Sequence, residues 1–342
     1  MVYRVLQYGC GPIGCSVVRL AMTKPDIEIV AAVDLVNVGR TLAEVAELTS
    51  PLEVSISDDP VGILREHRPD IVLHATGSSL KDIFRQIESI VEHGANVIST
   101  SEELSYPFRE NPELAARIDA LARKNGVTVL GTGVNPGFLM DSWPLFMTAV
   151  CQEVRHVEAV RVQDASQRRL PFQKKIGAGT SPEEFDRLVK DGHLRHVGLP
   201  ESVAMIAAGL RWELDGISEE IEPVIAENEI STDFLKVMPG QVAGLTQIGR
   251  GMIKEEEVIR LVFKAYVGAD DPHDAVVIEG TPGFKAIIKG GVHGDLATAA
   301  MAVNAIPRVM DSRPGLVTMK DLPPPAAIPS KTRGPGSESF FR

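Results

Sequence analysis

A glycine-rich turn near the start of the chain constrains the fold more than any other feature. Gly9, Gly11 and Gly14 follow an apolar strand candidate at 3–8 and precede an apolar stretch with helical spacing. Gly9 would let the chain leave the strand tightly, Gly11 would let a phosphate approach the backbone, and Gly14 would let the helix pack close to the sheet. The spacing predicts a strand–turn–helix unit that binds a dinucleotide pyrophosphate at the helix N-terminus.

An acid at the end of the next apolar strand candidate strengthens this prediction. The stretch 27–33 ends in Asp34, where an acid commonly accepts hydrogen bonds from the ribose hydroxyls of adenosine. Asp34 would repel a 2′-phosphate, which favours NAD as the cofactor. Asn37 and Arg40 lie close by in sequence and would accommodate such a phosphate, so NADP stays open. The alternative explanation is a structural glycine turn followed by a loop aspartate.

The pattern over the first 130 residues predicts the fold class. Short runs rich in Val, Ile and Leu alternate with helical stretches, as in a Rossmann-type α/β fold with a doubly wound parallel sheet. Besides 3–8 and 27–33, the strand candidates are 70–74, 95–99 and 127–130, and helices are expected at 80–93 and 111–125.

After about residue 150 the pattern changes to longer alternating runs, which predict a second α+β domain with a mixed, largely antiparallel sheet. The runs are 153–163, 219–238, 241–253, 256–267 and 274–288, with helices near 181–191 and 198–211 and a returning apolar helix at 294–310. The predicted domains are a dinucleotide-binding domain at 1–150 with 292–320 packing back on it, a substrate and dimerisation domain at 151–291, and an extended or poorly ordered tail at 321–342.

Several polar segments follow the predicted parallel strands, whose carboxyl ends form the ligand-binding edge of such a sheet. Thr76 and Gly77 follow 70–74, and these small residues would let the dinucleotide lie across the edge. Glu102 and Glu103 follow 95–99. One reading is an acid beside the nicotinamide, suited to proton transfer; the other is a pair of acids stabilised by a helix N-terminus. Neighbouring side chains point in different directions, so we expect only one of the two to serve. The residues predicted to contact the dinucleotide are Gly9, Gly11, Pro12, Ile13, Gly14, Asp34, Arg40, Thr76, Gly77 and Asn135.

A substrate pocket is predicted from residues that follow the last strand candidate of this sheet. Asn135 precedes Pro136, which restricts it to extended geometry. Phe138 and Trp143 follow, and two aromatic residues here favour a pocket wall in a chain that is only 5% aromatic. An interdomain hinge with core aromatics is the compatible alternative.

Two further pocket candidates lie in the second half of the chain. Thr180 closes a second glycine turn that leads into a helix, and a well-capped helix explains it better than a substrate-facing loop. His196, like His293, would line the pocket, although such histidines are more often structural. The histidines have no metal-binding spacing, and no metal site is predicted.

Composition excludes several classes of partner. The net charge of −11 argues against nucleic acid and anionic membranes, and no apolar run approaches the length of a membrane span. Three cysteines, an odd and sparse count, fit a reducing compartment, and the chain starts with a strand candidate rather than a signal peptide. We therefore expect a cytoplasmic protein that binds small molecules.

Taken together, these segments resemble the 2,4-diaminopentanoate dehydrogenase family and related NAD(P)-dependent amine dehydrogenases. The likeness spans the chain to about residue 320 and is most specific at GTGVNPGF (131–138). The other segments that carry it are GCGPIG (9–14), SEELSYP (101–107), GAGTSPEEF (177–185) and GQVAG (240–244). A more distant likeness is to dihydrodipicolinate reductase, but the histidine pair of that enzyme is missing around 164–175.

The resemblance implies reversible oxidative deamination of a small amine, or in reverse the reductive amination of a ketone or aldehyde with ammonia. Hydride would pass to an iminium carbon, one glutamate of the 102–103 pair would hold ammonia and shuttle protons, and Phe138 and Trp143 would form the apolar wall. The family's C-terminal sheet pairs two subunits, which implies a homodimer. The alternatives are another C=N or C=O reductase and, in a different class, a dinucleotide-binding regulator without turnover. The substrate stays open; the candidates for holding a substrate carboxylate are Arg168, Arg169, Lys174 and Lys175.

Overall fold

The computed structural model describes residues 2–331, and its strands and helices are numbered in chain order. The strands are β1 (Tyr3–Tyr8), β2 (Ile27–Val33), β3 (Ile56–Ser57), β4 (Ile71–His74), β5 (Asn96–Ser99), β6 (Thr128–Gly131), β7 (Glu153–Asp164), β8 (Gly216–Ile225), β9 (Ile230–Ser231), β10 (Lys236–Val237), β11 (Val242–Ile253), β12 (Glu256–Tyr266), β13 (His273–Thr281), β14 (Phe284–Lys289) and β15 (Gly315–Val317). The helices are α1 (Pro12–Ala21), α2 (Leu42–Val45), α3 (Pro60–His67), α4 (Leu80–Glu92), α5 (Pro112–Asn125), α6 (Ser142–Met147), α7 (Leu170–Lys175), α8 (Pro182–Lys190), α9 (Leu199–Leu210), α10 (Gly294–Asn304) and α11 (Ile306–Met310), with a 3₁₀ turn at Thr148–Val150.

The chain forms two compact units, which divide at Gly137 and at Gly294. The first unit contains the residues up to Gly137 and those from Gly294 onward, and the second runs from Phe138 to His293. The sequence prediction put the first boundary at 150. The segment 138–150 groups with the second unit because α6 packs there against α9 and β13.

The first unit is built on a seven-stranded parallel sheet in the order β15-β6-β5-β4-β1-β2-β3. The chain starts at β1, builds outward to β3, and then returns to add β4, β5, β6 and β15 on the other side. The crevice between β1 and β4 is thus the topological switch point, where ligands bind in sheets of this kind. The predicted Rossmann-type doubly wound fold is confirmed.

Apolar residues at helical spacing explain how the helices of this unit pack. Leu80, Ile83, Ile87 and Ile90 all lie on one side of α4 and are at most 2% exposed. Burying such a side chain contributes about 1.5–3 kcal/mol to folding. This face of α4 therefore fixes the helix on the sheet, next to β5 and α5.

A six-stranded mixed sheet forms the centre of the second unit, in the order β14-β13-β7-β12-β11-β8. The pairing of β12 with β7 is parallel and the other four are antiparallel, as predicted for a mixed, largely antiparallel sheet. Helix α9 lies on one face, where a Cβ at Gly251 would come within 2.9 Å of the Val203 side chain. Glycine in β11 therefore allows the helix to approach the sheet closely.

Two long runs that were predicted as single strands are divided. The run 219–238 ends as β8 at Ile225 and resumes as the short β9–β10 pair, because the polar stretch 227–229 interrupts the alternation. The run 274–288 divides into β13 and β14 at Pro282, which has no N–H to donate to the sheet.

The predicted helix at 294–310 is also divided, into α10 and α11. Pro307 lies in the first turn of α11, where a missing N–H costs little, so it begins a new helix there. Helix α10 packs on α1, and β15 pairs in parallel with β6, so this segment belongs to the first unit.

The described part of the tail lies against the first unit without regular structure. The Ile328 N–H donates to Asn304 Oδ1 at 3.0 Å, and Lys24 Nζ donates to the Ile328 carbonyl at 2.8 Å. The tail up to 331 is thus extended but hydrogen-bonded, and the rest of the predicted tail, 332–342, lies outside the described residues. Between residues 2 and 331, no helix combines the length and apolar character needed to cross a membrane.

Candidate functional site

The glycine turn after β1 combines two crowded glycines with one open one. A Cβ on Gly14 would lie 1.9 Å from the Gly9 carbonyl oxygen, and Gly9, at φ +92°, would bring a Cβ within 2.4 Å of the Ala75 carbonyl oxygen. At Gly11, by contrast, a Cβ would meet nothing within 4 Å. Gly9 and Gly14 therefore hold the turn together, whereas Gly11 leaves open space at the N-terminus of α1, beside Pro12 and Ile13.

Asp34 holds the loop after β2 against this turn. One of its carboxylate oxygens accepts a hydrogen bond from the Cys10 N–H, and the other accepts one from the Val36 N–H at 2.7 Å. Each oxygen keeps a lone pair for a further donor. Arg40 is exposed and donates to Asn37 Oδ1 at 3.0 Å. Arg40, the other residue of this loop that was predicted to contact the dinucleotide, therefore has a defined position.

The segment after β4 rests on a buried histidine. His74 is 1% exposed, and its ring contacts Ser99 Oγ at 2.9 Å, Gln86 Oε1 at 2.7 Å and Thr76 Oγ1 at 3.0 Å. Burial lowers the pKa of His74 to about 4, so the ring is neutral at neutral pH. His74 thus links Thr76, and with it Gly77, to β5 and α4. Sequence reasoning missed this role, although a histidine at the end of a buried apolar strand is a signal for it.

The two glutamates after β5 have different environments. The Glu103 carboxylate accepts a hydrogen bond from the Leu80 N–H at 2.8 Å, at the first residue of α4. This is the helix-terminal arrangement that the sequence offered as one explanation of the pair. Glu102 is half-buried, and its carbonyl accepts hydrogen bonds from the Ser105 N–H and hydroxyl.

The chain after β6 is packed against the same edge. The Thr132 N–H donates to the Ser99 carbonyl at 2.9 Å, and the Val134 N–H donates to Thr298 Oγ1 at 3.3 Å. Gly137, at φ +122°, lies against Gly133, where a Cβ would come within 2.4 Å of the Gly133 nitrogen. Asn135, half-buried, is therefore held in a tight turn at the carboxyl end of the sheet.

Phe138 and Trp143 lie in one turn of the second unit. The Trp143 N–H donates to the Phe138 carbonyl at 2.9 Å, and both side chains are half-buried. Asp141, which is fully buried, caps α6 and accepts a hydrogen bond from the Ser202 hydroxyl at 2.9 Å. The turn is thus anchored to α9, and the two aromatic residues are close together.

Thr180 and His196 are not close to each other. The Thr180 hydroxyl donates to the Gly177 carbonyl at 2.7 Å, within its own turn, while its carbonyl accepts from the Val242 N–H at the start of β11. The His196 backbone is held by the buried side chain of Gln247, in the middle of β11, and its ring stacks on Phe263 at 4.4 Å. Five residues of strand separate these attachment points, or about 16 Å.

The basic candidates for a substrate carboxylate differ in burial. Arg169, Lys174 and Lys175 are exposed, whereas Arg168 is 9% exposed with its guanidinium 4.2 Å from the centre of the Phe172 ring. These four positions are therefore not equivalent, and Arg168 is the buried one among them.

A buried ion pair on β7 and β13 was missed because its members occur within alternating strands. Arg161 and Asp274 are each 1% exposed and lie 3.3 Å apart. Burial lowers the pKa of Arg161 to about 10 and raises the pKa of Asp274, while their mutual attraction opposes both shifts. Over residues 2–331, no three His, Cys, Asp or Glu side chains are grouped so as to hold a metal ion.

Comparison with known proteins gives a consistent set of relatives. The family model described as the 2,4-diaminopentanoate dehydrogenase C-terminal domain matches residues 138–336. The 2,4-diaminopentanoate dehydrogenase of Acetoanaerobium sticklandii is 35% identical over 95% of this chain and 94% of its own. An amine dehydrogenase structure from Mycobacterium smegmatis superposes with a TM-score of 0.83 at 27% identity, over 95% of this chain and 97% of that one. A dihydrodipicolinate reductase from Paenisporosarcina sp. TG-14, at 16% identity and a TM-score of 0.53 over 94% and 99% of the chains, shares the fold.

The buried His74 predicts how stability depends on pH. An unfolded histidine takes up a proton near its ordinary pKa of 6.5, whereas the folded protein resists protonation until about pH 4. The unfolded state therefore binds more protons in this window, and the free energy of unfolding should fall by about 3 kcal/mol as the pH drops from 6.5 to 4. Urea titrations across this range should show a flatter dependence for His74→Gln than for the wild type.

The control for this experiment is His67→Gln, at the half-exposed end of α3, which removes a histidine without touching the buried network. Equal pH dependence in the wild type and in His74→Gln would contradict a buried neutral histidine.

Proposed function

The chain belongs to the 2,4-diaminopentanoate dehydrogenase family, and from this premise we propose that it interconverts a small amine with its ketone or aldehyde and ammonia, using a nicotinamide dinucleotide. It is an oxidoreductase acting on CH–NH₂ groups, in line with relatives named diaminopentanoate dehydrogenase and amine dehydrogenase. The proposed substrate is a small amine or carbonyl compound.

One structural observation carries the proposal: a glycine turn and a half-buried acid share one edge of the parallel sheet. The turn at Gly9–Gly14 follows β1 and Glu102 follows β5, with only β4 between those two strands. Two strand spacings are about 10 Å, a distance that an extended dinucleotide spans from its pyrophosphate along the sheet edge. Glu102 would then lie beside the reacting end of the cofactor.

The turn fits a dinucleotide by its own geometry. The open space at Gly11 lies at the N-terminus of α1, where unpaired N–H groups and the helix dipole favour an anion. When bound, the nicotinamide supplies or accepts the hydride. We propose NAD as the preferred form, because the Asp34 carboxylate at the end of β2 would repel a 2′-phosphate, and Arg40 is the residue that would compensate in an NADP enzyme.

Within this function, Glu102 is the residue that we assign to proton transfer. The carboxylate of Glu103 already accepts a hydrogen bond from the start of α4, which favours its neighbour for the chemical role. Glu102 would hold ammonia and move protons while the carbinolamine loses water and the iminium forms. Phe138 and Trp143 would supply the apolar wall that excludes water from the reacting carbon.

We expect ammonium to be required for turnover. Purified protein should oxidise NADH with a small ketone or aldehyde only when ammonium is present, and Glu102→Gln should lower kcat by about 100-fold or more because no carboxylate remains to move the proton. The assay follows the loss of NADH or NADPH absorbance with carbonyl compounds that do and do not carry a carboxylate, using each cofactor in turn.

The control variant for Glu102→Gln is Glu113→Gln, an exposed acid in the first turn of α5, which should keep wild-type turnover. Equal rates with and without ammonium would favour the runner-up, a C=O reductase on the same scaffold. Tight binding of NADH or NADPH without turnover of any carbonyl compound would favour a dinucleotide-binding regulator.

The contrast between Gly11 and Gly14 predicts how alanine substitutions separate binding from stability. Gly11→Ala should leave stability nearly unchanged, since its Cβ meets nothing within 4 Å, but should weaken dinucleotide binding by filling the space for the phosphates. Gly14→Ala should destabilise the protein by several kcal/mol, because its Cβ would lie 1.9 Å from the Gly9 carbonyl oxygen. Denaturant titrations and NADH fluorescence titrations measure the two effects, and unchanged NADH affinity in Gly11→Ala would contradict the proposed phosphate position.

We also propose that the protein is a homodimer, paired through the face of the second sheet opposite α9. One row across this face is apolar, formed by Ile248, Val262, Val160, Ala275 and Ile287 in neighbouring strands. The adjacent row carries charges of both signs, including Glu158 and Arg260. A surface with an apolar row beside a row of positive and negative charges can pair with a second copy of itself about a twofold axis.

Light scattering should therefore give twice the mass of one chain for the wild type. Val262→Glu should shift the protein toward monomer, because it places a charge in the apolar row, while Val2→Glu, at an exposed position in the first unit, should not. A wild-type monomer at micromolar concentration would contradict the dimer.

The cytoplasm is the compartment that we propose for this activity. The three cysteines of the chain are all unbonded, and two of them, Cys10 and Cys15, are buried beside the glycine turn. Such sparse free thiols are typical of proteins in a reducing compartment.

A further inference from the structure

The residues on both sides of Glu102 are tied to the beginning of α4. The Ser101 side chain is 1% exposed, and its hydroxyl donates a hydrogen bond to the Ser78 carbonyl at 2.8 Å. The Ser101 N–H in turn donates to Ser99 Oγ at 3.1 Å, and Ser99 Oγ contacts the buried ring of His74. The chain that enters Glu102 is therefore attached both to the end of β5 and to the segment before α4.

Glu103 attaches the chain that leaves Glu102 to the same segment. Its N–H donates to the Ser78 carbonyl at 3.2 Å, and its carboxylate accepts from the Leu80 N–H at 2.8 Å. A carboxylate at a helix N-terminus gains from the helix dipole, and hydrogen bonds to a charged acceptor are stronger than neutral ones. The Ser78 carbonyl thus receives one bond from each neighbour of Glu102.

The peptide group of Glu102 itself is held from a third direction. Its carbonyl accepts hydrogen bonds from the Ser105 hydroxyl at 2.7 Å and from the Ser105 N–H at 3.1 Å. The turn that makes these bonds lies directly on Gly131, where a Cβ would come within 2.3 Å of the Leu104 carbonyl carbon. The loop therefore rests on the end of β6 as well as on α4.

We propose that Ser101 and Glu103 are positioning residues, which fix the backbone on both sides of Glu102 so that its carboxylate leaves the loop in one direction. This inference rests on the proposed function, in which Glu102 moves the proton. A displacement of about 1 Å in a reacting group can cost about 100-fold in rate, so a loop that carries such a group needs several attachments. The two adjacent acids then have separate tasks, one chemical and one structural.

Substitutions at Glu103 separate positioning from proton transfer. Glu103→Gln keeps an oxygen that accepts from the Leu80 N–H but cannot ionise, so it should retain kcat within about fivefold of the wild type, whereas Glu102→Gln should lose about 100-fold. Glu103→Ala removes the attachment and should lower kcat by about 10- to 100-fold while the KM for NADH stays within about twofold. Ser101→Ala should behave like Glu103→Ala, and Ser101→Thr, which keeps the hydroxyl, should restore part of the loss.

Hydrogen exchange provides a readout that does not depend on activity. Glu103→Ala should speed amide exchange in residues 100–106 and at Leu80, and Glu103→Gln should not. The matched control is Asp59→Ala, which removes the carboxylate cap of α3, where Asp59 accepts from the Gly62 N–H at 2.9 Å. It should cost stability without changing kcat or exchange in residues 100–106.

Three results would overturn the positioning role. These are a Glu103→Gln variant as inactive as Glu102→Gln, a Glu103→Ala variant with wild-type kcat, and unchanged exchange in residues 100–106 of Glu103→Ala. Turnover that needs no ammonium would overturn the proposed amine dehydrogenase function but not the positioning role. The kcat values of the Glu102, Glu103 and Ser101 variants could then be compared in the ammonium-independent reduction. If the protein showed no turnover at all, unchanged amide exchange in residues 100–106 of Glu103→Ala would still overturn the attachment of the loop to α4, and faster exchange would support it.

Discussion

Close contact between backbone segments at the carboxyl edge of the parallel sheet is the constraint on which the first unit depends. Gly14 lies against the Gly9 carbonyl, Gly9 against the Ala75 carbonyl, and Gly131 against Leu104. The first contact closes the turn after β1, the other two join segments of neighbouring strands, and each leaves no room for a Cβ. The loops after β1, β4, β5 and β6 are therefore packed into one layer, and their polar groups share one edge.

Buried polar side chains then fix the loops that this packing brings together. His74 joins Thr76, Gln86 and Ser99 in the first unit. In the second unit, Gln173 donates to the carbonyls of three residues between 165 and 168, and Gln247 binds the backbone of His196 through both ends of its amide. Buried loop backbone needs such partners, and an amide side chain can both donate and accept.

The proposed division of tasks between Glu102 and Glu103 also depends on a side chain that hydrogen-bonds to backbone. The Glu103 carboxylate already accepts a hydrogen bond from the Leu80 N–H at the start of α4, which suits it to attachment. Once the loop lies against α4, Glu103 is attached to that helix, and Glu102 is the acid that we propose for proton transfer.

The local pattern of the sequence determined much of this protein. The bounds of β1 and β2 follow from their apolar runs, and the glycine turn, the strand-end segments and the two sheet types follow from spacing and alternation, which depend on neighbours along the chain. The divisions at 227–229, Pro282 and Pro307 could also be read locally but were outweighed by the longer patterns around them. What only the tertiary structure decided is which strand-end residue meets which partner. Leu80 reaches Glu103 across 23 positions of sequence, and Arg161 reaches Asp274 across many more, because strand pairing and helix packing bring together residues whose distance along the chain carries no information about their distance in space.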